Sequence, residues 1–217
     1  MPPQGSFLKR NIGFLLVVAA LAVLPFVMAL ANGQSIASLL ANEAGNAKFL
    51  QGLLIEVFIL AVFAISYDLV LGITGLLSFG HGMFFAFGAY LTGVLLKGFG
   101  WPLWQVAVGL LVLGVLQALL FGIVLPRVKG ITFALVTLGI ASVFDILIKS
   151  QELNPYTGSD VGLQGVPRGT LFGIVDLADD MNLYYVVAAI FGFSFWLIHR
   201  TIHSPFGQIL KAIRENE

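Results

Sequence analysis

Ser78 and His81 stand three residues apart in the stretch TGLLSFGHGMFF, inside the most apolar part of the sequence. On a helix this spacing places both side chains on one face, as a serine nucleophile and its histidine base require. An intramembrane serine hydrolase would also need a group that orients the histidine and a G-x-S-x-G turn around the serine. Asp68 is the nearest acid in the sequence, and no such turn is present. The favoured interpretation is a helix break, in which Ser78 caps freed backbone and His81 donates to a carbonyl.

Three carboxylates, Glu56, Asp68 and Asp145, lie in or near apolar runs. Because a charge at the centre of a bilayer costs about 2.5–3.5 kcal/mol, each is expected to face protein, water or an interface. Asp145 shares a helix face with Thr137, and that face is a candidate wall of a substrate pathway. An ion-coupled carrier that uses these acids remains open, as does a position of Asp145 at a helix end near external water.

The composition argues against a metal site and against nucleic-acid binding in this chain. No cysteine is present, and the three histidines are too scattered to predict a metal site. Eleven basic residues balance eleven acidic residues, so no basic face predicts binding of nucleic acid.

The elements that carry these candidate residues are predicted to be membrane helices, because 59% of the residues are hydrophobic and only 10% are charged. A soluble domain would carry about 25% charged residues. At about 20 apolar residues per crossing, the sequence predicts an all-α, polytopic transmembrane bundle of about six spans. The predicted spans are Asn11–Ala31, Phe49–Leu71, about Phe84–Leu96, Trp101–Leu125, Thr132–Ile148 and Leu183–Ile198. The first run is also compatible with a cleaved signal, because Ala29 and Ala31 form an A-x-A pattern.

Glycines interrupt the long uncharged run from Leu69 to Leu96, which predicts a broken or re-entrant segment near residues 72–83. After this break, small residues recur at steps of four, three and four and predict a helix-packing stripe. The stripe comprises Gly82, Ala86, Ala89 and Gly93.

The distribution of lysine and arginine predicts that both the N-terminus and the C-terminus are cytoplasmic. Residues 150–182 then form an external loop, which is rich in turn formers such as Pro155 and Gly158. Residues 204–217 form a cytoplasmic amphipathic helix with Ser204 as N-cap and Pro205 at its first position. Its apolar face is predicted to rest on lipid headgroups or to dock in a partner's groove. That face holds Phe206, Ile209, Leu210 and Ile213.

Four stretches carry a resemblance to branched-chain amino-acid ABC transporter permeases, most like the LivM type. GITGLLSFGHGMFFAFGAYLTGVLL is similar to a glycine-rich family segment, and ITFALVTLGIASVFDILI to the fifth-span region. TGSDVGLQGVP is similar to an external loop, and SPFGQILKAIRENE to the coupling helix. The match follows family order from about Phe49 to Glu217.

The resemblance implies a permease subunit of an ATP-driven importer in the bacterial inner membrane. It implies a second permease subunit, two cytoplasmic subunits that bind ATP and magnesium, and an external substrate-binding protein. The substrate would be leucine, isoleucine or valine, although related permeases carry urea or other small neutral compounds. The pathway would border Glu56, Asp68, Ser78, His81, Thr137 and Asp145. The ATPase would contact Pro205, Phe206, Gly207, Ile209, Leu210, Ile213, Arg214 and Glu215.

Two departures from the family qualify this resemblance. The family usually has asparagine at the position where this chain has Asp68. The family also continues with further spans beyond the coupling helix. Residues 1–217 are therefore expected to be a single membrane domain, the N-terminal part of a longer permease.

Overall fold

The computed structural model describes residues 7–43 and 45–215, which are predominantly helical. The α-helices are α1 (Phe7–Ala31), α2 (Ile36–Leu40), α3 (Asn46–Asp68), α4 (His81–Gly93), α5 (Leu103–Val124), α6 (Gly130–Ile148), α7 (Asn154–Thr157), α8 (Asp180–Ile202) and α9 (Pro205–Glu215). Two π-helical turns, Leu69–Ile73 and Val94–Gly98, continue α3 and α4. Short 3-10 turns cover Leu125–Arg127 and Ser159–Val161.

Every predicted apolar run is helical in the part of the chain that the structure describes. By length and composition, four stretches are sufficient to cross a membrane: Asn46–Ile73, Leu103–Ile123, Gly130–Ile148 and Asp180–Ile202. The helices α1 and α4 occupy the first and third predicted spans. The prediction of an all-α polytopic membrane bundle is confirmed.

Two predicted boundaries are corrected by the structure. The helix of the third predicted span, α4, begins at His81 rather than near Phe84. The interruption between α3 and α4 is therefore shorter than predicted. The helix of the sixth predicted span, α8, extends from Asp180 to Ile202, well beyond the predicted Leu183–Ile198. Helical hydrogen bonding does not depend on apolar side chains, so polar ends continue a helix past the run that hydropathy detects.

The segment predicted as an external loop also contains regular structure. A short antiparallel hairpin pairs β1 (Thr170–Leu171) with β2 (Val175–Asp176), in the register Thr170↔Asp176. Strands of two residues show no alternating pattern, so the sequence offered no signal for them.

The described residues form two compact units. The first comprises the chain up to Val62 together with Ala178–Trp196. Its core is built on Ile55 and Phe58 of α3 and on Tyr184 of α8. The Tyr184 ring is fully buried, and its hydroxyl donates a hydrogen bond to the carbonyl of Leu21 at 2.8 Å.

The second unit comprises Phe63–Leu177 and Leu197–Glu217, and α4 lies among α5 and α6 within it. Phe84 of α4 meets Phe121 of α5 edge to face, with ring centroids 5.0 Å apart. Phe87 of α4 lies 6.1 Å from Phe144 of α6, measured between ring centroids. This unit holds the break between α3 and α4, and α9 as well.

Replacement of Tyr184 by alanine tests the core of the first unit. We expect a decrease of about 3–5 kcal/mol in the free energy of unfolding in mixed micelles, because a buried ring and its hydrogen bond are both lost. Ile190→Ala is the control on the same helix, since the Ile190 side chain is 54% exposed. Its effect is expected to stay within about 0.5 kcal/mol. Equal losses in the two variants would contradict the assigned core.

Candidate functional site

His81 is the first residue of α4, and its imidazole pairs with a hydroxyl of the preceding helix. The His81 Nε2 lies 2.9 Å from the Ser66 Oγ, which in turn donates to the carbonyl of Phe63 at 2.7 Å. A serine hydroxyl has one proton, so Nε2–H must be the donor to Ser66. The network therefore assigns the proton to Nε2 and leaves Nδ1 as an acceptor. The prediction that His81 donates to a carbonyl is wrong, because a hydroxyl occupies that position.

Aromatic rings surround the His81 imidazole. The rings of Phe63 and Tyr67 each lie 5.3 Å from it, and that of Phe84 lies 6.3 Å away, measured between centroids. Contacts in this range are typical of packed aromatic clusters. The imidazole is thereby a packing and hydrogen-bonding link between the end of α3 and the start of α4.

Ser78 does not form a dyad with His81. It is buried in the irregular segment before α4, and the partner of His81 is Ser66. Sequence reasoning missed Ser66, although Ser66 and Tyr67 form a polar pair just before Asp68 at the end of an apolar helix. The geometry therefore gives no support to a serine nucleophile in this segment.

The interruption between the two helices begins with the π-helical turn Leu69–Ile73. The amides of Gly75 and Leu76 donate to the carbonyls of Leu71 and Val70, at 3.1 and 3.2 Å. The Thr74 hydroxyl donates to the Val70 carbonyl as well. These bonds satisfy carbonyls that the end of a helix would otherwise leave without partners.

At the other end of the interruption, Gly80 lies directly against α6. A Cβ at this position would overlap the backbone carbonyl of Thr137, which α6 holds in place. The Thr137 hydroxyl donates to the Ala134 carbonyl at 2.9 Å within its own helix. Thr137 therefore contacts the break through its backbone, and its hydroxyl is already engaged.

The three candidate carboxylates occupy different environments. Glu56 is exposed on α3, ten residues after its start, and Asp68 is exposed at its end with its carboxylate against Gly72. Asp145 accepts a hydrogen bond of 2.9 Å from Lys149 one turn later. This bond, and then the negative charge of Asp145, raise the pKa of Lys149. Asp145 is thereby placed in an exposed ion pair near the end of α6.

The four small residues of α4 are not equivalent. Gly93 is buried beneath Leu163 and Val166 of the segment that follows α6. Ala86 is half-buried, whereas Gly82 and Ala89 are exposed. Within the described residues, the predicted stripe is covered at its Gly93 end and open toward Gly82.

The amphipathic helix α9 has the predicted N-cap, since the Gly207 amide donates to the Ser204 hydroxyl at 3.4 Å. Gly207 is required there, because a Cβ would overlap the carbonyls of Thr201 and Ile202. The predicted apolar face is largely uncovered, with Leu210 half-buried. Its exposed members are Phe206 (57%), Ile209 (60%) and Ile213 (39%).

The other coupling candidates also lie on α9. Pro205 is its first residue, and Glu215, its last described residue, is exposed. The guanidinium of Arg214 points instead to the break, where it donates to the carbonyl of Gly72. Residues 216 and 217 of the predicted helix lie outside the described residues. No cluster of three potential metal ligands occurs in the described ranges.

These features define a polytopic helical membrane protein with one interruption between adjacent spans and an amphipathic helix after the last. Residues 49–217 match the family described as the permease component of the branched-chain amino acid transport system, and the chain belongs to this family. This membership agrees with the resemblance seen in the sequence.

Two curated relatives are similar to this chain. One is the high-affinity branched-chain amino acid transport system permease protein LivM of Escherichia coli (strain K12), and the other is the LivM protein of Salmonella typhimurium. Each is 27% identical over 178 residues, which cover 72% of this chain and 41% of the relative. The match thus spans about two fifths of the length of these relatives. No solved structure matches the chain.

A pair of glycine variants tests the contact between the break and α6. Gly80→Ala is expected to lower the free energy of unfolding by about 1–3 kcal/mol, because the added methyl group overlaps a fixed carbonyl. Gly82→Ala is the matched control two residues later, since a Cβ there meets no atom within 4 Å. Thermal unfolding of the purified protein in detergent measures both. A Gly80→Ala variant as stable as Gly82→Ala would show that α4 and α6 are farther apart.

Proposed function

We propose that this chain is part of the membrane-spanning permease of an ATP-driven importer that moves branched-chain or related small neutral amino acids into the cytoplasm. The observation that carries this proposal is the family match over residues 49–217. The LivM relatives are named as permease proteins of a high-affinity branched-chain amino acid transport system, which supports the substrate class.

The same proposal specifies the partners. A second permease subunit completes the membrane part, and an external binding protein delivers the substrate to the side of residues 150–182. Two cytoplasmic subunits bind ATP and magnesium, so this chain needs no cofactor of its own. The distribution of basic residues supports cytoplasmic termini, and the bacterial relatives support a location in the inner membrane.

The helix α9 is proposed to receive the movement of the ATPase. Phe206 and Ile209 are exposed on a helix that follows the last span, and Ile213 continues their face one turn later. An amphipathic helix that docks in a partner's groove uses anchors at this spacing. Gly207 allows α9 to approach the end of α8, and Arg214 bonds to Gly72 rather than to the ATPase. The remaining coupling candidates flank the anchors.

Glu56 is proposed to border the substrate pathway. It lies within the candidate span Asn46–Ile73, and its side chain is exposed on the surface of this chain. A carboxylate at this depth requires water, a counter-charge or a neighbouring subunit, since lipid around it would cost about 2.5–3.5 kcal/mol. A pathway between permease subunits supplies all three.

The remaining pathway candidates are proposed from their positions in the second unit. Asp68, Ser78 and His81 lie at the interruption, and Thr137 contacts it through Gly80. Asp145 is proposed as the outermost of these residues, and its carboxylate forms an exposed ion pair with Lys149 near the end of α6.

Charge substitutions on α9 test the proposed ATPase contact in the full-length protein. Phe206→Asp and Ile209→Asp are each expected to abolish co-purification with the ATPase subunits and ATP-dependent uptake into proteoliposomes, because a carboxylate would enter an apolar groove. Gln208→Asp is the control, since Gln208 is exposed on the opposite side of the same helix. Wild-type protein that takes up substrate without ATP would refute the proposed function.

Glu56→Gln tests the pathway assignment separately. We expect uptake to fall about tenfold while assembly with the ATPase is retained, because the carboxylate charge is lost without a change of shape. Glu43→Gln is the control, since Glu43 is exposed outside the predicted spans. Uptake by proteoliposomes at saturating ATP measures both variants. Persistence of uptake under a proton gradient alone, and its loss in Glu56→Gln, would favour the ion-coupled alternative.

A further inference from the structure

Arg214, the penultimate residue of α9, reaches back to the break between α3 and α4. Its Nη1 donates a hydrogen bond to the carbonyl oxygen of Gly72 at 3.0 Å. Gly72 belongs to the π-helical turn that ends α3. A residue of the proposed ATPase-coupling helix is therefore bonded directly to the membrane helices.

The position of Gly72 explains why a cation is favoured there. The last carbonyls of a helix carry partial negative charge and lack helical partners. The Asp68 carboxylate lies against Gly72 from the preceding turn and adds a full negative charge. The run from Leu69 to Leu96 contains no lysine or arginine, so the cation comes from another part of the chain.

Gly75 allows the arginine to approach so closely. Its φ of +77° is a left-handed conformation that side chains other than glycine rarely adopt. A Cβ at residue 75 would lie 3.1 Å from the Arg214 Cγ and 3.6 Å from its Cβ. The aliphatic part of Arg214 thus lies on the backbone of Gly75, while its guanidinium bonds to Gly72.

The break is thereby held at both ends by other elements. Arg214 of α9 holds the end that follows α3, and the backbone of α6 at Thr137 holds Gly80 at the start of α4. Only residues 73–79 lie between these anchors, so the distance between them can change little without a change in the backbone conformation of this segment. Movement of α9 against α6 must therefore change the shape of this short segment or shift the start of α4.

We propose that Arg214 is a positioning residue that transmits displacement of α9 to the break and to the start of α4 with His81. This role rests on the proposed function, because it assumes that an ATPase moves α9. Arg214 acts toward the membrane, whereas Phe206 and Ile209 act toward the ATPase. The two groups of residues then form successive links between ATP hydrolysis and the spans.

Variants of Arg214 in the assembled full-length transporter test this role through the ratio of substrate taken up to ATP hydrolysed. Arg214→Ala is expected to retain ATPase binding and hydrolysis while the ratio falls about tenfold, because a charge-assisted hydrogen bond and the contact with Gly75 are lost. Arg214→Lys is expected to recover part of the ratio, since it keeps the charge and most of the aliphatic chain. Lys211→Ala removes an exposed charge from the same helix and is expected to leave the ratio unchanged.

The outcomes separate this inference from the proposed function. Absence of ATP-dependent uptake in the wild type overturns both. Normal uptake by the wild type, with an unchanged ratio in Arg214→Ala or an equal loss in Lys211→Ala, overturns only the role of Arg214.

Cross-linking tests the contact itself without any transport assay. The chain contains no cysteine, so Gly75→Cys combined with Arg214→Cys introduces a single pair. The 3.6 Å between the two Cβ positions lies within the range of about 3.5–4.5 Å found in disulfides. Oxidation is expected to link this pair, whereas Gly75→Cys with Lys211→Cys is expected to remain unlinked. Efficient linking of the control pair, or none in the test pair, would overturn the contact.

Discussion

The hydrogen bond from Arg214 to the carbonyl of Gly72 reflects the constraint on which this fold depends. In a bilayer, backbone polar groups need partners from protein or from water, so a helix can be interrupted only where one of these satisfies them. Between α3 and α4 the chain meets this requirement by a π-helical turn, by the Thr74 hydroxyl and by a guanidinium from α9. The interruption, the amphipathic helix and the start of α4 therefore form one connected structure within the second unit.

Glycine allows close approach at some positions of this structure and not at others. Gly80 and Gly75 allow close approach, because a Cβ would meet the Thr137 carbonyl in one case and Arg214 in the other. Gly82, only two residues after Gly80, has open space around it. The predicted small-residue stripe of α4 therefore includes both covered and exposed residues. A repeat in the sequence does not show which of its members contacts a neighbour. Exposed members such as Gly82 and Ala89 leave room for the approach of another subunit.

The sequence predicted those features that depend on local hydrogen bonding and apolar composition. These include the apolar helices, the interruption in the run from Leu69 to Leu96 and the Ser204 cap. It did not predict the partner of His81, because Ser66 lies fifteen residues earlier and only the packing of α4 against α3 brings the two together. The contact between Arg214 and Gly72 joins residues 142 positions apart, and periodicity gives no signal for it. Features of the site thus depend on tertiary packing, whereas the spans do not.

The exposure of the spans indicates how much of the functional protein lies outside these contacts. In the most apolar stretch of each candidate span, between 6% and 22% is fully buried within the chain, so many of the other residues also meet lipid or other protein. For leucine and valine side chains either environment is acceptable, because lipid tails are as apolar as a protein core. For Glu56 it is not, since a carboxylate gains nothing from lipid. Glu56 therefore marks a face of α3 where water, a counter-charge or a neighbouring subunit would offset this cost, as the proposed pathway requires.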